Sequence, residues 1–137
     1  MALPNGAGGY QVGDGNVNDP LIDTIADPVT ATTTTTFTAA QILNGLILVN
    51  SGITANVAYT LPTVADLENV LINSDKVGTS FTFRVVNLGT SSGTAIIAAG
   101  TGWTITGSLT VTIPVTTGAT LIARKSAAGA WTLYRVN

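Results

Sequence analysis

The chain has 137 residues, of which 45% are apolar and only 9% charged, with a formal charge of −2 and neither cysteine nor histidine. That length holds one domain plus a tail. The composition excludes disulfides and thiol chemistry, removes the commonest general base and metal ligand, and leaves five Lys and Arg, too few for a nucleic-acid footprint.

Residues 1–31 hold four of the seven acidic residues, Asp14, Asp19, Asp23 and Asp27, and no basic residue. The opening MALPNGAGGY has neither a basic n-region nor an apolar h-region, so no signal peptide is expected. Glycines at 6, 8, 9, 13 and 15 and prolines at 4, 20 and 28 argue against regular structure. The G-x-G at 13–15 lacks the strand, helix and lysine of a phosphate loop, and the aspartates lack the dense alternation of a calcium loop. Apolar Val17, Leu21, Ile22, Ile25 and Val29 punctuate this segment, and a purely solvated tail has little use for them. Residues 1–29 are therefore read as a flexible or partner-ordered arm, with these five as its contact residues, and residues 30–137 as a β-domain.

The run TATTTTTF follows, part of a total of 24 threonines. Threonine is stiff at χ1 and favours half-buried strands, so an extended segment across 29–37 is predicted, with Phe37 turned inward. Thr38 and Gln41 have the spacing of a capping box, so residues 39–43 form one or two helical turns that Gly45 closes in the left-handed conformation. LILVN (46–50) and VAYTL (57–61) read as strands. Pro62 then ends the strand, and Thr63 caps a helix of about ten residues with Asp66 in its first turn. Val64, Leu67, Val70 and Leu71 are assigned to its apolar face, and Glu68, Asn69 and Asn73 to the opposite one. This helix is expected to cover an open end or edge of the sheets.

Strand now follows strand. In FTFRVVN (81–87), Phe81, Phe83 and Val85 alternate with Thr82, Arg84 and Val86. TAIIAA (94–99), WTIT (103–106), LTVTI (109–113), ATLIARK (119–125) and AWTLYRV (130–136) complete the set, separated by glycine turns. Trp131, Leu133 and Arg135 share one face of the last strand, and the stem of Arg135 is placed over the indole with its head in solvent. The pattern as a whole predicts an all-β, jelly-roll-like β-sandwich with one short helix and an extended N-terminal arm.

Enzymatic chemistry finds little support. Asp66 and Glu68 stand two apart on the predicted helix, so their side chains diverge and are read as capping and solvent-exposed groups. Lys125 and Ser126 are placed in a hairpin turn. A carbohydrate-binding module is the alternative from a different class, with Trp103, Trp131, Tyr10, Tyr59 and Tyr134 as stacking candidates. Trp103, flanked by glycines in GTGWTITG, is expected to be partly exposed. Trp103 and Arg135 are the candidate intersubunit or ligand contacts. No cofactor is expected, and no apolar run is long enough for a transmembrane helix.

Five segments carry a resemblance: FTAAQILNGLILVNSG (37–52), YTLPTVADLENVL (59–71), VGTSFTFRVVNLG (77–89), AAGTGWTITGS (98–108) and GAWTLYRV (129–136). Together with the glycine-rich arm, they resemble the head decoration, or cement, proteins of tailed bacteriophages, including those of cyanobacteria. The resemblance covers about residues 30–137. It lies in segment order and style, and the same segments also suit a tail or fibre subunit. It implies a non-enzymatic virion protein on the capsid exterior, assembled in the host cytoplasm, with no direct contact to nucleic acid or membrane. It further implies a homotrimer that bridges capsomers, with Val17, Leu21, Ile22, Ile25 and Val29 contacting the major capsid protein.

Overall fold

The computed structural model describes residues 24–137. Val17, Leu21 and Ile22 of the expected contact arm, and Tyr10, lie outside the described residues. In chain order the elements are β1 (Val29–Ala31), β2 (Thr35–Thr36), α1 (Ala39–Leu43), β3 (Leu46–Val49), β4 (Val57–Thr60) and α2 (Val64–Val70). They continue with β5 (Ser80–Asn87), β6 (Ala95–Ala98), β7 (Trp103–Ile105), β8 (Thr110–Ile113), β9 (Gly118–Ala127) and β10 (Ala130–Arg135).

The strands form a large sheet, β1-β3-β5-β9-β10-β7, and a small one, β2-β4-β6-β8. The predicted β-rich, two-sheet architecture is present. The pairing, however, is not that of a jelly roll, whose strands are antiparallel. Here β1, β3 and β5 run parallel, as do β2, β4 and β6, and β7 is parallel to β10. From β1 to β8 the chain steps into the other sheet after every strand. Parallel neighbours need a crossover between them, and the opposite sheet supplies it. The coils are unequal: Val29 pairs with Ile47 and Thr35 with Tyr59, offsets of 18 and 24 residues, whereas Leu46 pairs with Arg84 and Val57 with Ala95, an offset of 38 in both sheets. The hairpin β9–β10 then fills the large sheet between β5 and β7.

Local sequence explains the corners. The threonine run is not one strand: Thr30 and Ala31 lie in the large sheet, residues 32–34 turn, and Thr35 and Thr36 pair with Tyr59 and Thr60 in the small one. Phe37 is buried and stacks on Tyr59, with ring centroids 5.4 Å apart. The capping box forms as its spacing predicts: the Gln41 amide donates to Thr38 Oγ1 at 3.2 Å, and the Thr38 amide donates to Gln41 Oε1 at 2.8 Å. Gly45 adopts φ +92° beyond α1.

Strand β1 begins at Val29, one residue ahead of the expected domain start at residue 30. Val29, expected to be an arm contact, pairs with Ile47 and packs partly buried against the core, because its side chain falls on the inner face of the large sheet. The preceding Asp27 carbonyl accepts a 3.0 Å bond from Asn44 Nδ2. Ile25 is exposed.

The core lies between the sheets, with Ile47, Val85, Leu121 and Leu133 facing Tyr59, Ile97 and Ile113. Beyond β8 the small sheet stops while the large one continues into β10 and β7. Helix α2 and the residue pair just ahead of it meet that uncovered part, α2 through β9 and β10 and Pro62 through β7. Trp103 Nε1 donates to the Pro62 carbonyl at 2.8 Å, and Glu68 meets Lys125 and Trp131. Gly102 has φ +89° and sits so close to Val64 that a Cβ would fall 2.8 Å from that side chain, so the close approach requires glycine.

Candidate functional site

Four places gather the chemistry-bearing residues. The first lies under α2. The Lys125 ammonium is 2.8 Å from Glu68 Oε1 and donates to the Ser74 carbonyl at 2.8 Å. Trp131 Nε1 donates to the same Glu68 oxygen at 3.1 Å. The side chain of Lys125 is 7% exposed and that of Glu68 27%. Donation by Lys125, reinforced by Trp131, holds the Glu68 carboxyl below its ordinary pKa, against a smaller opposing effect of burial. Two expectations are corrected here. Lys125 is not in a hairpin turn, since β9 runs on to Ala127 and its alternation turns this side chain inward. Glu68 does not face away, since position 68 follows Val64 by four residues and Leu67 by one, which places it on the buried stripe. Val70 is instead 51% exposed. Thr63 caps the helix, its Oγ1 accepting from the Asp66 amide at 3.1 Å and donating to Asp66 Oδ2 at 2.7 Å.

The second place is the aromatic interior. Trp103 is 7% exposed and Trp131 fully buried, with ring centroids 6.1 Å apart, and Phe81 lies 5.8 Å from Trp131. Tyr59 is also buried. Trp103 therefore offers no ring face to a ligand, and the sugar-stacking candidates Trp103, Trp131 and Tyr59 are core residues. The flanking glycines let the chain turn tightly beneath α2 rather than exposing the indole. Arg135 is exposed, and its guanidinium is held by backbone carbonyls. Its Nη1 donates to the Thr112 carbonyl of the small sheet at 2.7 Å, and its Nε donates to the Asn137 carbonyl at 2.7 Å, so it clamps the two sheets at one end.

The third is a buried polar network at the corners where β3 and β5 leave the large sheet. Asn50 Nδ2 and Asn87 Nδ2 donate to the Gly93 carbonyl at 3.0 and 2.9 Å. Asn87 Nδ2 also donates to the Ile113 carbonyl, and its Oδ1 accepts from the Gly89 amide. The Tyr59 hydroxyl donates to Asn50 Oδ1 at 2.7 Å, with the Ala31 carbonyl at 3.1 Å. Burial pushes the Tyr59 phenol pKa up, with hydrogen bonding at Asn50 partly opposing it. Asn50 takes φ +58°, a conformation that asparagine tolerates better than most residues. The sequence reading missed this network. Its signal was the recurrence of V-N-x-G at 49–52 and 86–89.

The fourth comprises two surface regions. At the end of α2, Val70 and Ile72, the latter 78% exposed, line a groove of about 280 Å³ with Leu71, Ser74 and Thr79, and Val77 is exposed in the same loop. The outer face of the large sheet is the other region. Register places Leu46, Arg84 and Thr120 in one row, Leu48, Val86 and Gly118 in the next, and Thr82, Ile122 and Tyr134 on the opposite side. Arg84 and Arg124 are exposed on this face, and the apolar residues are half-buried. Beside Arg84, a hollow of about 220 Å³ lies over Gly118, bounded by Val86, Thr120 and Asn137.

No family model matches the chain, and neither curated proteins nor solved structures yield a match.

Proposed function

We propose that the chain is a non-enzymatic structural protein of a phage virion. In this reading it sits on the capsid exterior as a homotrimer and bridges capsomers, while arm residues ahead of β1 reach the major capsid protein. Neither cofactor, nucleic acid nor membrane takes part. The observation that carries the reading is the exposed apolar cluster at the end of α2, Val70, Ile72 and Val77, on a chain with only 9% charged residues. Large exposed apolar side chains grouped around a groove mark contact surfaces, and few charges must be desolvated to cover them. The described interior suits a load-bearing part, because no buried side-chain polar atom there lacks a partner.

A tail or fibre subunit is the second reading. It is favoured by the winding, whose edge strands β1 and β2 follow each other in the chain and leave both sheets with an edge toward the same end, where a neighbouring unit could add.

Sedimentation of the purified protein, with a shape estimate, is the test. A compact trimer that binds assembled heads but not free capsid monomers is the expected result. An elongated trimer would favour the fibre reading. A monomer that does not bind heads would overturn both.

A further inference from the structure

We infer that the outer face of the large sheet is a docking surface for an acidic, aliphatic peptide, and that its occupant in the free protein is residues 14–23 of the same chain. The proposal concerns the isolated protein and holds whatever the chain later binds. On a head, the same segment would have to leave this face to reach a neighbour.

The face has the chemistry for such a ligand. Arg84 lies near its middle, paired across the sheet with Leu46 on one side and Thr120 on the other. Leu48, Val86, Ile122 and Tyr134 surround it and are half-buried, while Arg84 itself is exposed. The strands of this sheet contain no carboxylate, and among the described residues neither Arg84 nor Arg124 forms an ion pair. The hollow over Gly118 exists because that position has no side chain, and it is large enough for an aliphatic group beside the Arg84 guanidinium. Arginine and tyrosine set among aliphatic residues are what interface centres are enriched in.

The N-terminal segment has the complementary chemistry. Asp14, Asp19 and Asp23 alternate with Val17, Leu21 and Ile22, and no basic residue precedes Lys76. Spacing agrees as well. Arg124 pairs with Ser80, four positions along β5 from Arg84, which is a run of ~13 Å at strand rise. Asp19 and Asp23 are also four apart, so an extended chain projects both to one side over the same ~13 Å. Reach is not limiting. The described chain begins at Thr24, just ahead of the edge strand β1 of this very sheet, and β5 is two strand spacings away, ~10 Å. Tethering places the segment at an effective concentration on the order of millimolar, so a weak contact suffices. Apolar contact supplies affinity, and the charges fix the register.

The experiment uses the full chain. Because the sequence has no cysteine, Asn18→Cys gives a single site for a nitroxide label. In dilute, low-salt solution the amide signals of Arg84, Thr120 and Ile122 should lose most of their intensity, while that of Thr112 on the small sheet keeps its own. The double substitution Arg84→Glu and Arg124→Glu, both at exposed positions, should restore the lost signals while the rest of the spectrum shows the fold intact. Equal intensities at Thr112 and Ile122 in the unsubstituted chain would overturn the docking. Losses that survive the double substitution would overturn the charge pairing. Losses of the same size between labelled and isotope-enriched chains in a mixture would assign the face to a second copy and overturn docking within one chain.

Discussion

Lys125 and Glu68 are 57 positions apart in the chain and 2.8 Å apart in space, and their contact fastens α2 to the part of the large sheet that the small sheet leaves uncovered. The lysine is nearly buried and makes two polar contacts, so removing either partner strands the other. Lys125→Ala should destabilise the fold by about 2–4 kcal/mol, toward the low end for a buried pair because Glu68 keeps some solvent. Denaturant unfolding of Lys125→Ala, Glu68→Gln and the double variant checks this. The double variant should lose less than the sum of the singles, whereas strict additivity would show that the two act independently.

The same pair sets an acid limit. Glu68 has a lower pKa folded than unfolded, so its contribution is complete above the ordinary carboxylate value, about 4.3. It fades as pH falls through that value toward the lowered folded one, because the unfolded chain takes up the proton first. Melting temperature should therefore drop below about pH 4.3, and less steeply in Glu68→Gln. Parallel curves for the two proteins would remove Glu68 from the cause.

Asn87 is fully buried, and its side chain makes three bonds that tie two corners to β8. Asn87→Leu leaves the Gly93 carbonyl with Asn50 but deprives the Ile113 carbonyl and the Gly89 amide of this partner. At about 1–3 kcal/mol per stranded buried group, a loss of roughly 2–6 kcal/mol is expected in urea unfolding. Asn50→Gly keeps the left-handed backbone available and should cost less, because mainly the bonds to Tyr59 and Gly93 are lost. A larger loss from Asn50→Gly would reverse that ranking.

Trp103 serves the core, so Trp103→Ala should cost about 3–5 kcal/mol in unfolding experiments. Adding glycans should leave the fluorescence of the native protein unchanged. Quenching that Trp103→Ala abolishes would restore a sugar-binding role.

Ile72 and Val70 are the opposite case. Ile72→Asp and Val70→Asp lie on the surface and should change stability by no more than about 0.5 kcal/mol. They should weaken trimer formation or head binding, read by sedimentation and by pull-down on heads. Full assembly with both changes would exclude this cluster as the contact.

Individual strands were readable because alternation survives in segments as short as Trp103 to Ile105 and as long as β9. Their partners were not readable. Four residues separate β6 from β7, a length that suggests a hairpin, yet four residues also span ~13 Å and can step the ~10 Å between packed sheets. The short connections of this chain therefore fit a jelly roll and a winding equally well. The threonine run was hard for a related reason: five identical residues carry no sign of the turn at 32–34. Around α2, hydrophobicity pointed to Val70 while geometry chose Glu68, because the opposing lysine came from a strand 57 positions away, beyond the reach of any local pattern.

The place of the last hairpin bears on how the protein is made. Strands β9 and β10 lie inside the large sheet, between β5 and β7, although they follow all the other described strands in the chain. A nascent chain halted before residue 118 would lack the seam that joins its earlier coils to β7, with Phe83, Val85 and Trp103 left without their strand partners Leu121, Ala119 and Trp131. Loops of up to 38 residues must also close before the coils register, and such distant pairings form slowly. Folding of the large sheet is thus gated by its latest strands in chain order: it can become cooperative only when residues 118–135 have left the ribosome, and a chain that stops short of them remains open to proteolysis.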